Sequence, residues 1–292
     1  MFEGVHTALV TPFNGGALDE SAFRQLIDDQ FAGGVAGVVP VGTTGESPTL
    51  THEEHDRVIA LAVEHTAKRG LVIAGTGSNA TAEAIQLTQS AEAAGADASL
   101  QVCPYYNKPS QEGLYQHFKA IADATKLPII LYSIPGRCGI EISVETTARL
   151  ARSCSNVIAM KEAGGTPERV SQLVAETPDN FEVLSGDDSM TLPFISVGAV
   201  GVISVASNLL PKVMVDLVAA ANRGDLAQAR EIHRKYYPLF SSFLKLDTNP
   251  VPIKTALVLK GAIQEEYKLP MIPMTAEKKE ILSETLVSLG VI

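Results

Sequence analysis

The chain repeats one pattern eight times: a short apolar run, a few glycine or polar residues, and then a longer segment with helical spacing. Such alternation is typical of a parallel sheet covered by helices. The predicted strands are Val5–Val10, Gly37–Val41, Leu71–Ala74, Ala98–Val102, Ile129–Tyr132, Val157–Met160, Phe181–Leu184 and Val200–Ser204. Eight units in roughly 220 residues fit a closed barrel. The predicted fold class is therefore α/β, a (β/α)8 TIM barrel.

The last part of the chain has a different pattern. From about Asp225 to Ile292 there are no clear strand signals, and we predict two or three helices. Proline disfavours the helix interior, so the breaks between these helices are expected at Pro250, Pro252, Pro270 and Pro273. The sequence thus predicts a catalytic barrel over residues 1–224 and a C-terminal helical extension over residues 225–292.

The amino-acid composition limits the kinds of molecule that the protein is expected to bind. The net charge of −10 and the pI near 5.1 disfavour nucleic acid, so small molecules are expected. No run of about 18 apolar residues and no signal peptide is evident, which predicts a cytoplasmic protein with no membrane partner. The three cysteines form no CxxC pair, so neither a disulfide framework nor a cysteine-rich metal site is expected.

One predicted strand ends in a lysine. The unbroken apolar run Val157–Met160 suits a strand covered on both faces, and it stops at Lys161 and Glu162, just before Gly164 and Gly165. An ammonium group held against apolar neighbours loses hydration, which favours the neutral amine that can attack a carbonyl and form a Schiff base. The alternative is a lysine whose stem lies along the core while its charge reaches solvent.

Other chemically distinctive groups follow the predicted strand ends, where this fold places its active sites. They are Gly42–Glu46, Pro104–Asn107, Tyr132, Pro135–Arg137, Lys161 and Gly186–Asp188. Each has a structural alternative: a turn for Thr43 and Thr44, a core aromatic for Tyr132, and a helix cap for the adjacent aspartates. Because all of them are predicted at one rim, we interpret them together as a site.

A glycine motif suggests a competing interpretation. Gly75-x-Gly77-x-x-Ala80 follows a predicted strand, and Asp97 comes 20 residues after Gly77, as in a dinucleotide-binding fingerprint. In that fingerprint the acidic residue ends the next strand, whereas Asp97 precedes one. The sequence therefore disfavours nucleotide binding.

Five segments resemble the dihydrodipicolinate synthase family of Schiff-base lyases, and the resemblance runs from Gly4 to the C-terminus. The segments are Gly42–Glu46, Pro104–Asn107, Tyr132–Arg137, Lys161–Ala163 and Ser185–Asp188. The resemblance implies condensation of pyruvate with L-aspartate 4-semialdehyde to 4-hydroxy-tetrahydrodipicolinate, the first committed step of diaminopimelate and lysine biosynthesis. It also implies that no metal or organic cofactor is needed, because a lysine Schiff base is itself the electron sink.

The resemblance assigns the chemistry to four side chains. Lys161 would form the Schiff base with pyruvate, and Thr43, Tyr132 and Tyr106 would relay protons. Tyr106 would come from the neighbouring subunit of a tight dimer, within a homotetramer built as a dimer of dimers.

The resemblance also assigns substrate contacts. Thr44 would hold the pyruvate carboxylate, and Arg137 would hold the carboxylate of the aldehyde, since guanidinium pairs with carboxylates in a bidentate manner. Gly186 and Ile203 would contribute backbone groups near pyruvate. Two departures from the family are Ser133 and Cys138, neither of which replaces a catalytic group.

Positions that bind L-lysine as a feedback inhibitor in some relatives have counterparts here. They are Ser47, His52, His55, Asn79, Glu83 and Tyr105. Glu83 suits an ammonium group, and His52 and His55 lie three residues apart on one predicted helix. The alternative is a solvated helix surface.

Two other functions stay open at the level of sequence. N-acetylneuraminate lyase and keto-deoxy sugar acid aldolases share the lysine, the tyrosine and the glycine-rich loop. Arg137 favours a small acidic aldehyde over a sugar acid, which is recognised mainly through hydroxyl groups. The non-enzyme alternative is a catalytically silent barrel that only binds a small acid.

Overall fold

The computed structural model describes residues 1–292, and its centre is a closed barrel of eight parallel strands. The strands are β1 (Gly4–Ala8), β4 (Gly37–Val39), β5 (Leu71–Gly75), β6 (Ala98–Val102), β7 (Ile129–Ser133), β8 (Val157–Glu162), β9 (Glu182–Ser185) and β10 (Gly201–Ser204). Strand β1 pairs with both β4 and β10, which closes the barrel. The predicted fold class is confirmed, and each predicted strand lies within two residues of an observed one.

Twelve α-helices surround and extend the barrel. They are α1 (Glu20–Ala32), α2 (His52–Thr66), α3 (Thr81–Ala94), α4 (Gln111–Asp123), α5 (Pro135–Cys138), α6 (Val144–Ser153), α7 (Pro167–Glu176), α8 (Thr191–Ile195), α9 (Pro211–Asn222), α10 (Leu226–Lys245), α11 (Val251–Leu259) and α12 (Ala276–Ser288). One of these helices follows each barrel strand, except that β7 is followed by both α5 and α6, and α10 to α12 come after α9.

A small hairpin between β1 and α1 was not predicted. Strands β2 (Phe13–Asn14) and β3 (Ala17–Leu18) pair antiparallel, joined by Gly15 and Gly16 with φ angles of 63° and 83°. Two successive positive φ angles are the geometry of a tight hairpin turn, which glycine adopts without strain. The amides of both glycines donate to the Glu266 carboxylate, at 2.8 and 2.6 Å. The hairpin is therefore attached to the C-terminal region.

The barrel interior is apolar, and it is closed at the end where the strands begin. The side chains that fill the interior come from alternate residues of the strands and include Ala8, Ile130, Ala159 and Ile203. Phe2 belongs to the same cluster and is fully buried, while the amide of Phe2 donates to Glu182 at 2.6 Å. The N-terminal segment therefore fills the end of the barrel where the strands begin. A polar site is expected at the opposite end, where the strands finish.

The C-terminal helices share a core with the barrel. A cluster of 25 buried residues joins Val5 of β1 to Leu239, Phe240 and Phe243 of α10. The predicted boundary after residue 224 falls between α9 and α10.

Three helices follow that boundary, as predicted, but one predicted break is wrong. Pro252 lies in the first turn of α11, two residues after Pro250 at its N-cap, where a missing amide hydrogen costs nothing. Pro270 and Pro273 do fall between α11 and α12.

Candidate active site

Lys161 is the penultimate residue of β8, and its side chain lies inside the barrel. Ala159 belongs to the interior cluster, and residues two apart on a strand face the same side. Glu162 faces the opposite way and pairs with Arg169 of α7 at 2.8 Å. Lys161 is only 6% exposed. The alternative in which its charge reaches solvent is therefore wrong.

The surroundings of Lys161 favour the neutral amine. Burial lowers its pKa to about 8, while the Asp188 carboxylate opposes this shift and Arg137 adds to it. About a tenth of the amine is then neutral at pH 7, compared with less than about one part in a thousand for an ordinary lysine. The Lys161 Nζ atom also lies 4.2 Å from the centre of the Tyr132 ring. The amine is thus poised for attack on a carbonyl.

Tyr132 is the neighbour of Lys161 across the sheet, since β7 and β8 place these two residues in register. Burial raises the pKa of the Tyr132 phenol, and the positive charge of Arg137 and a hydrogen bond with Thr43 oppose that rise. A phenol that keeps its proton can donate it to a departing hydroxyl group and take another back. Thr43 and Tyr132 are therefore hydrogen-bonded to each other, and their part in a proton relay stays a prediction.

Thr43 and Thr44 belong to a loop that is fixed at its end. Glu46 adopts a left-handed conformation with φ of 57°, and its Oε1 atom lies 2.6 Å from Lys254 Nζ on α11. Its Oε2 atom accepts the amide of Lys268 at 3.1 Å. The C-terminal region therefore holds the loop that carries both threonines.

Arg137 and Thr44 contact the same C-terminal residue. Arg137 extends from the short helix α5, and its Nη2 atom donates to the Asn249 carbonyl at 3.0 Å. The Asn249 Nδ2 atom donates to Thr44 Oγ1 at 3.0 Å. Sequence reasoning missed Asn249, because it lies in the helical extension outside any motif.

Gly186 packs behind the lysine stem. A Cβ atom at this position would lie 3.1 Å from Lys161 Cε and 2.8 Å from Ala163 Cβ. Its amide donates to the Glu162 carbonyl at 2.8 Å. Ile203 of β10 is fully buried in the barrel interior.

The two adjacent aspartates have different roles. Asp187 caps a short 3-10 helix by accepting the Ser189 amide at 2.7 Å, as the structural alternative predicted. Asp188 is buried and accepts from Ser204 Oγ at 2.5 Å and from the Ala206 amide at 2.8 Å. Burial raises its pKa to about 6, and these hydrogen bonds oppose the rise. Asp188 supplies the negative charge near Lys161, a role that sequence reasoning missed.

Lys161 opens into a cavity of about 410 Å³. Of the predicted residues, those that line it are Thr43, Thr44, Ser47, His52, His55, Glu83, Tyr105, Tyr132, Arg137 and Lys161. Gly186, Ile203, Asn79 and Tyr106 do not line it. One continuous space therefore joins the predicted catalytic and regulatory residues.

Tyr106 lies apart from the other predicted relay members. It is 90% exposed and has a φ angle of 70° in the loop after β6. Left-handed backbone is uncommon for a bulky residue. The Tyr106 side chain is thus available to a second molecule rather than to the cavity of its own chain.

His52 and Glu83, two of the predicted regulatory residues, form a polar cluster with Ser78 in the wall of the cavity. Glu83 Oε1 lies 3.0 Å from His52 Nε2, and Ser78 donates to Glu83 Oε2. These two hydrogen bonds, Ser78 first, lower the pKa of Glu83. Burial lowers the pKa of His55, whose Nε2 atom lies 3.0 Å from the Gly75 carbonyl. Asn79 Nδ2 donates to the Tyr105 carbonyl at 3.2 Å.

The glycine motif considered for a nucleotide has a packing role. A Cβ atom on Gly77 would lie 2.4 Å from the Val102 amide nitrogen, so the chain passes too close to β6 for a side chain. Asp97 lies before β6 and accepts the Val72 amide at 2.9 Å, at the opposite end of the barrel from Lys161. The prediction against a dinucleotide site agrees with this placement.

No group of three or more His, Cys, Asp or Glu side chains is arranged to bind a metal ion. None of the helices combines the length and the apolar character needed to cross a bilayer.

The sequence model of the Dihydrodipicolinate synthetase family matches residues 1–289. The chain belongs to this family. The 4-hydroxy-tetrahydrodipicolinate synthase of Persephonella marina is 51% identical over 293 residues and covers 100% of both chains. The structure of the 4-hydroxy-tetrahydrodipicolinate synthase from Methylacidiphilum fumariolicum SolV has a TM-score of 0.98 and 50% identity, covering 99% of this chain and 96% of that one.

Further solved structures of the dihydrodipicolinate synthetase family were described with ligands or with their assembly. The Acinetobacter baumannii enzyme, complexed with pyruvate, has a TM-score of 0.97 and 41% identity, with both chains fully covered. The Cyanidioschyzon merolae enzyme, with lysine bound, has a TM-score of 0.95 and 38% identity, covering 100% of this chain and 99% of that one. A monomeric variant, 40% identical with a TM-score of 0.97, covers 100% of this chain and 98% of that one.

The predicted family membership is confirmed, and the chain is an enzyme of this family. The full-length relatives at about 50% identity favour 4-hydroxy-tetrahydrodipicolinate synthase activity over the sugar acid aldolases and the silent barrel.

Proposed function

We propose that the chain condenses pyruvate with L-aspartate 4-semialdehyde to give 4-hydroxy-tetrahydrodipicolinate, the first committed step of diaminopimelate and lysine biosynthesis. The observation that carries the proposal is the buried amine of Lys161, whose pKa is lowered to about 8 by burial. It lies beside a protonated phenol, in a cavity of about 410 Å³ that an arginine also lines. The names of the full-length relatives support the same reaction.

The first half of the reaction uses Lys161, Tyr132 and Thr43. The neutral amine attacks the ketone carbon of pyruvate, and the resulting carbinolamine loses water to give an iminium ion. Tyr132, hydrogen-bonded to Thr43, donates the proton that the leaving hydroxyl group needs. The positive iminium then withdraws electrons, so that a methyl proton passes to the Tyr132 phenolate and an enamine forms.

The second half depends on Arg137. Its guanidinium group lines the cavity and would pair with the carboxylate of the aldehyde. The enamine carbon attacks the aldehyde carbon, and the new alkoxide takes a proton through the relay. Attack of the substrate's own amino group on the imine carbon then closes the ring and releases Lys161.

Tyr106 is proposed to act in a neighbouring subunit of a homotetramer assembled as a dimer of dimers in the cytoplasm. Its 90% exposure supports this proposal, because no partner within its own chain covers it. Mixing a Tyr106→Phe chain with a Lys161→Ala chain tests it. If each variant alone is inactive, the mixed dimer regains one complete site, whereas a Tyr106 that acts within its own chain gives no recovery.

Borohydride reduction in the presence of pyruvate tests the central proposal. Mass spectrometry is expected to find a pyruvate-derived adduct on Lys161 and none on Lys254, which is also buried but is paired with Glu46. The Lys161→Ala variant should trap nothing. Absence of an adduct in the unmodified enzyme would refute the Schiff-base mechanism.

The choice of substrate needs a separate measurement. We expect turnover of pyruvate with L-aspartate 4-semialdehyde to exceed cleavage of N-acetylneuraminate by several orders of magnitude. Faster turnover of the sugar acid would instead support the sugar acid aldolase alternative.

Feedback inhibition by L-lysine is proposed at Ser47, His52, His55, Asn79, Glu83 and Tyr105. The lowered pKa of Glu83, held by Ser78 and His52, supports an anionic partner for an ammonium group. A solved relative was described with lysine bound, which supports lysine as a ligand. Titrating lysine into the assay should lower the rate, and Glu83→Gln should weaken that inhibition while leaving pyruvate trapping intact. An unchanged rate at millimolar lysine would remove the proposal.

A further inference from the structure

Asn249 connects the two side chains that are proposed to hold the two substrate carboxylates. It lies between α10 and α11, is 7% exposed, and contacts them through different atoms. The side-chain Nδ2 atom donates to Thr44 Oγ1, and the backbone carbonyl accepts from Arg137 Nη2, both at 3.0 Å. The Oδ1 atom is buried without a protein partner. A residue of the helical extension therefore contacts two of the side chains that line the cavity.

The bond from Asn249 determines what the Thr44 hydroxyl can do. A hydroxyl group has one hydrogen to donate and two lone pairs that accept. Because an amide N–H of Asn249 occupies a lone pair, the Thr44 hydrogen stays free for a different acceptor. Thr44 is 3% exposed and lines the cavity, so a ligand in the cavity is the acceptor within reach.

We propose that Asn249 is a positioning residue that presents Thr44 as a hydrogen-bond donor to the carboxylate of the 2-oxo acid bound at Lys161. The proposal rests on the proposed function, since it takes a 2-oxo acid as the ligand. Asn249 acts through Thr44, and it anchors Arg137 only through its backbone carbonyl. Side-chain substitutions at this position therefore separate the two substrates: the pyruvate site should change and the aldehyde site should not.

The test measures pyruvate trapping by borohydride, without the second substrate, as a function of pyruvate concentration. Asn249→Ala is expected to raise the half-maximal pyruvate concentration about three- to tenfold, the range for one lost hydrogen bond. Asn249→Asp should raise it further, since a carboxylate accepts the Thr44 hydrogen and repels the substrate. Thr248→Ala is the matched control: Thr248 is the exposed neighbour and its hydroxyl makes no hydrogen bond, so no change is expected.

A double-mutant cycle with Thr44→Val separates positioning from a general loss of structure. Valine offers no acceptor, so adding Asn249→Ala to Thr44→Val should change the midpoint by less than about twofold. In steady state, Asn249→Ala should raise the KM for pyruvate and leave the KM for the aldehyde within about twofold.

The outcomes distinguish the two proposals. If the unmodified enzyme traps no pyruvate, the proposed function fails and this inference fails with it. If the unmodified enzyme traps pyruvate but Asn249→Ala and Asn249→Asp leave the midpoint unchanged, only this inference is overturned. Should Asn249→Ala not fold, the nearly isosteric Asn249→Asp decides. If Asn249→Ala changes the midpoint equally in the unmodified enzyme and in the Thr44→Val variant, this inference is also overturned.

Discussion

Lys254 and Glu46 form an ion pair of 2.6 Å whose side chains are 0% and 1% exposed. Lys254 lies on α11 and Glu46 ends the loop that carries Thr43 and Thr44. The same ammonium group donates to the Thr11 carbonyl at 3.1 Å and to the Glu266 carbonyl at 2.7 Å. All three of its hydrogens are therefore satisfied, and the helical extension becomes a structural part of the barrel rim.

Replacing Lys254 with Met should destabilise the protein severely. The change leaves the Glu46 carboxylate buried without a counter-charge, and breaking such a pair typically costs about 3–5 kcal/mol. Urea unfolding followed by circular dichroism measures the loss. Lys212→Met, which removes an exposed pair with Asp216, should leave the midpoint unchanged. A smaller loss in the double variant Glu46→Gln with Lys254→Met would show that the uncompensated charge is the cause.

The rate of pyruvate trapping should rise with pH and level off above about 8. The neutral amine is the attacking form, it predominates above its pKa, and burial lowers the pKa of Lys161 to about 8. The initial rate of adduct formation with cyanoborohydride, followed by mass spectrometry, gives the profile. A rate that still climbs at pH 10 would contradict the desolvated amine.

The same profile tests Asp188. Its negative charge raises the pKa of Lys161 against the effect of burial, so Asp188→Asn should move the midpoint to lower pH, by roughly one unit. Asp187→Asn is the control, because Asp187 is occupied in capping the 3-10 helix. Equal shifts in the two variants would argue against a specific role for Asp188.

Gly186→Ala should slow trapping by about ten- to a hundredfold, because the new methyl group pushes the reactive amine out of line. The added Cβ atom would lie 3.1 Å from Lys161 Cε. Gly136→Ala is the matched control, since nothing lies within 4 Å of a Cβ atom there. The second-order rate constant for pyruvate trapping is the measurement, and identical rates in the two variants would show that Gly186 does not set the position of Lys161.

Arg137→Met should raise the KM for the aldehyde by about ten- to a hundredfold, the loss expected for a charged hydrogen-bonding pair. Pyruvate trapping should change far less, because Thr44 and Lys161 remain. Steady-state kinetics with each substrate varied in turn measures the difference. Arg230→Met, an exposed arginine on α10, is the control. A larger effect on pyruvate than on the aldehyde would reverse the assignment of Arg137.

The barrel could be predicted because its strands are short apolar runs between glycine and polar residues. Strand Ala98–Val102 matches the prediction in full. Strand β8 runs two residues further than predicted, since Lys161 and Glu162 keep their sheet pairing although they are charged. The hairpin over residues 13–18 was missed because two-residue strands carry no periodic signal, although two consecutive glycines are typical of such a turn.

The predicted rim brought Lys161, Tyr132 and Thr43 into one cavity because parallel strands all finish at the same end. The contacts of Asn249 and Lys254 could not be predicted in this way. They join residues 205 and 208 positions apart, and neither lies in a local pattern that indicates its partner. Tyr106 was predicted to act across a subunit boundary, and that assignment stays a prediction.

Neighbouring residues Lys161 and Glu162 face opposite sides of β8, one toward the cavity and one toward Arg169. Which functional group faces the cavity therefore depends on the alternation of side chains along this strand. A single-residue insertion earlier in the strand would place Met160 at the position that faces the cavity and bring the Lys161 ammonium group against the Arg169 guanidinium group. Such a one-residue shift of register would abolish catalysis, although every proposed catalytic residue would still be present in the sequence.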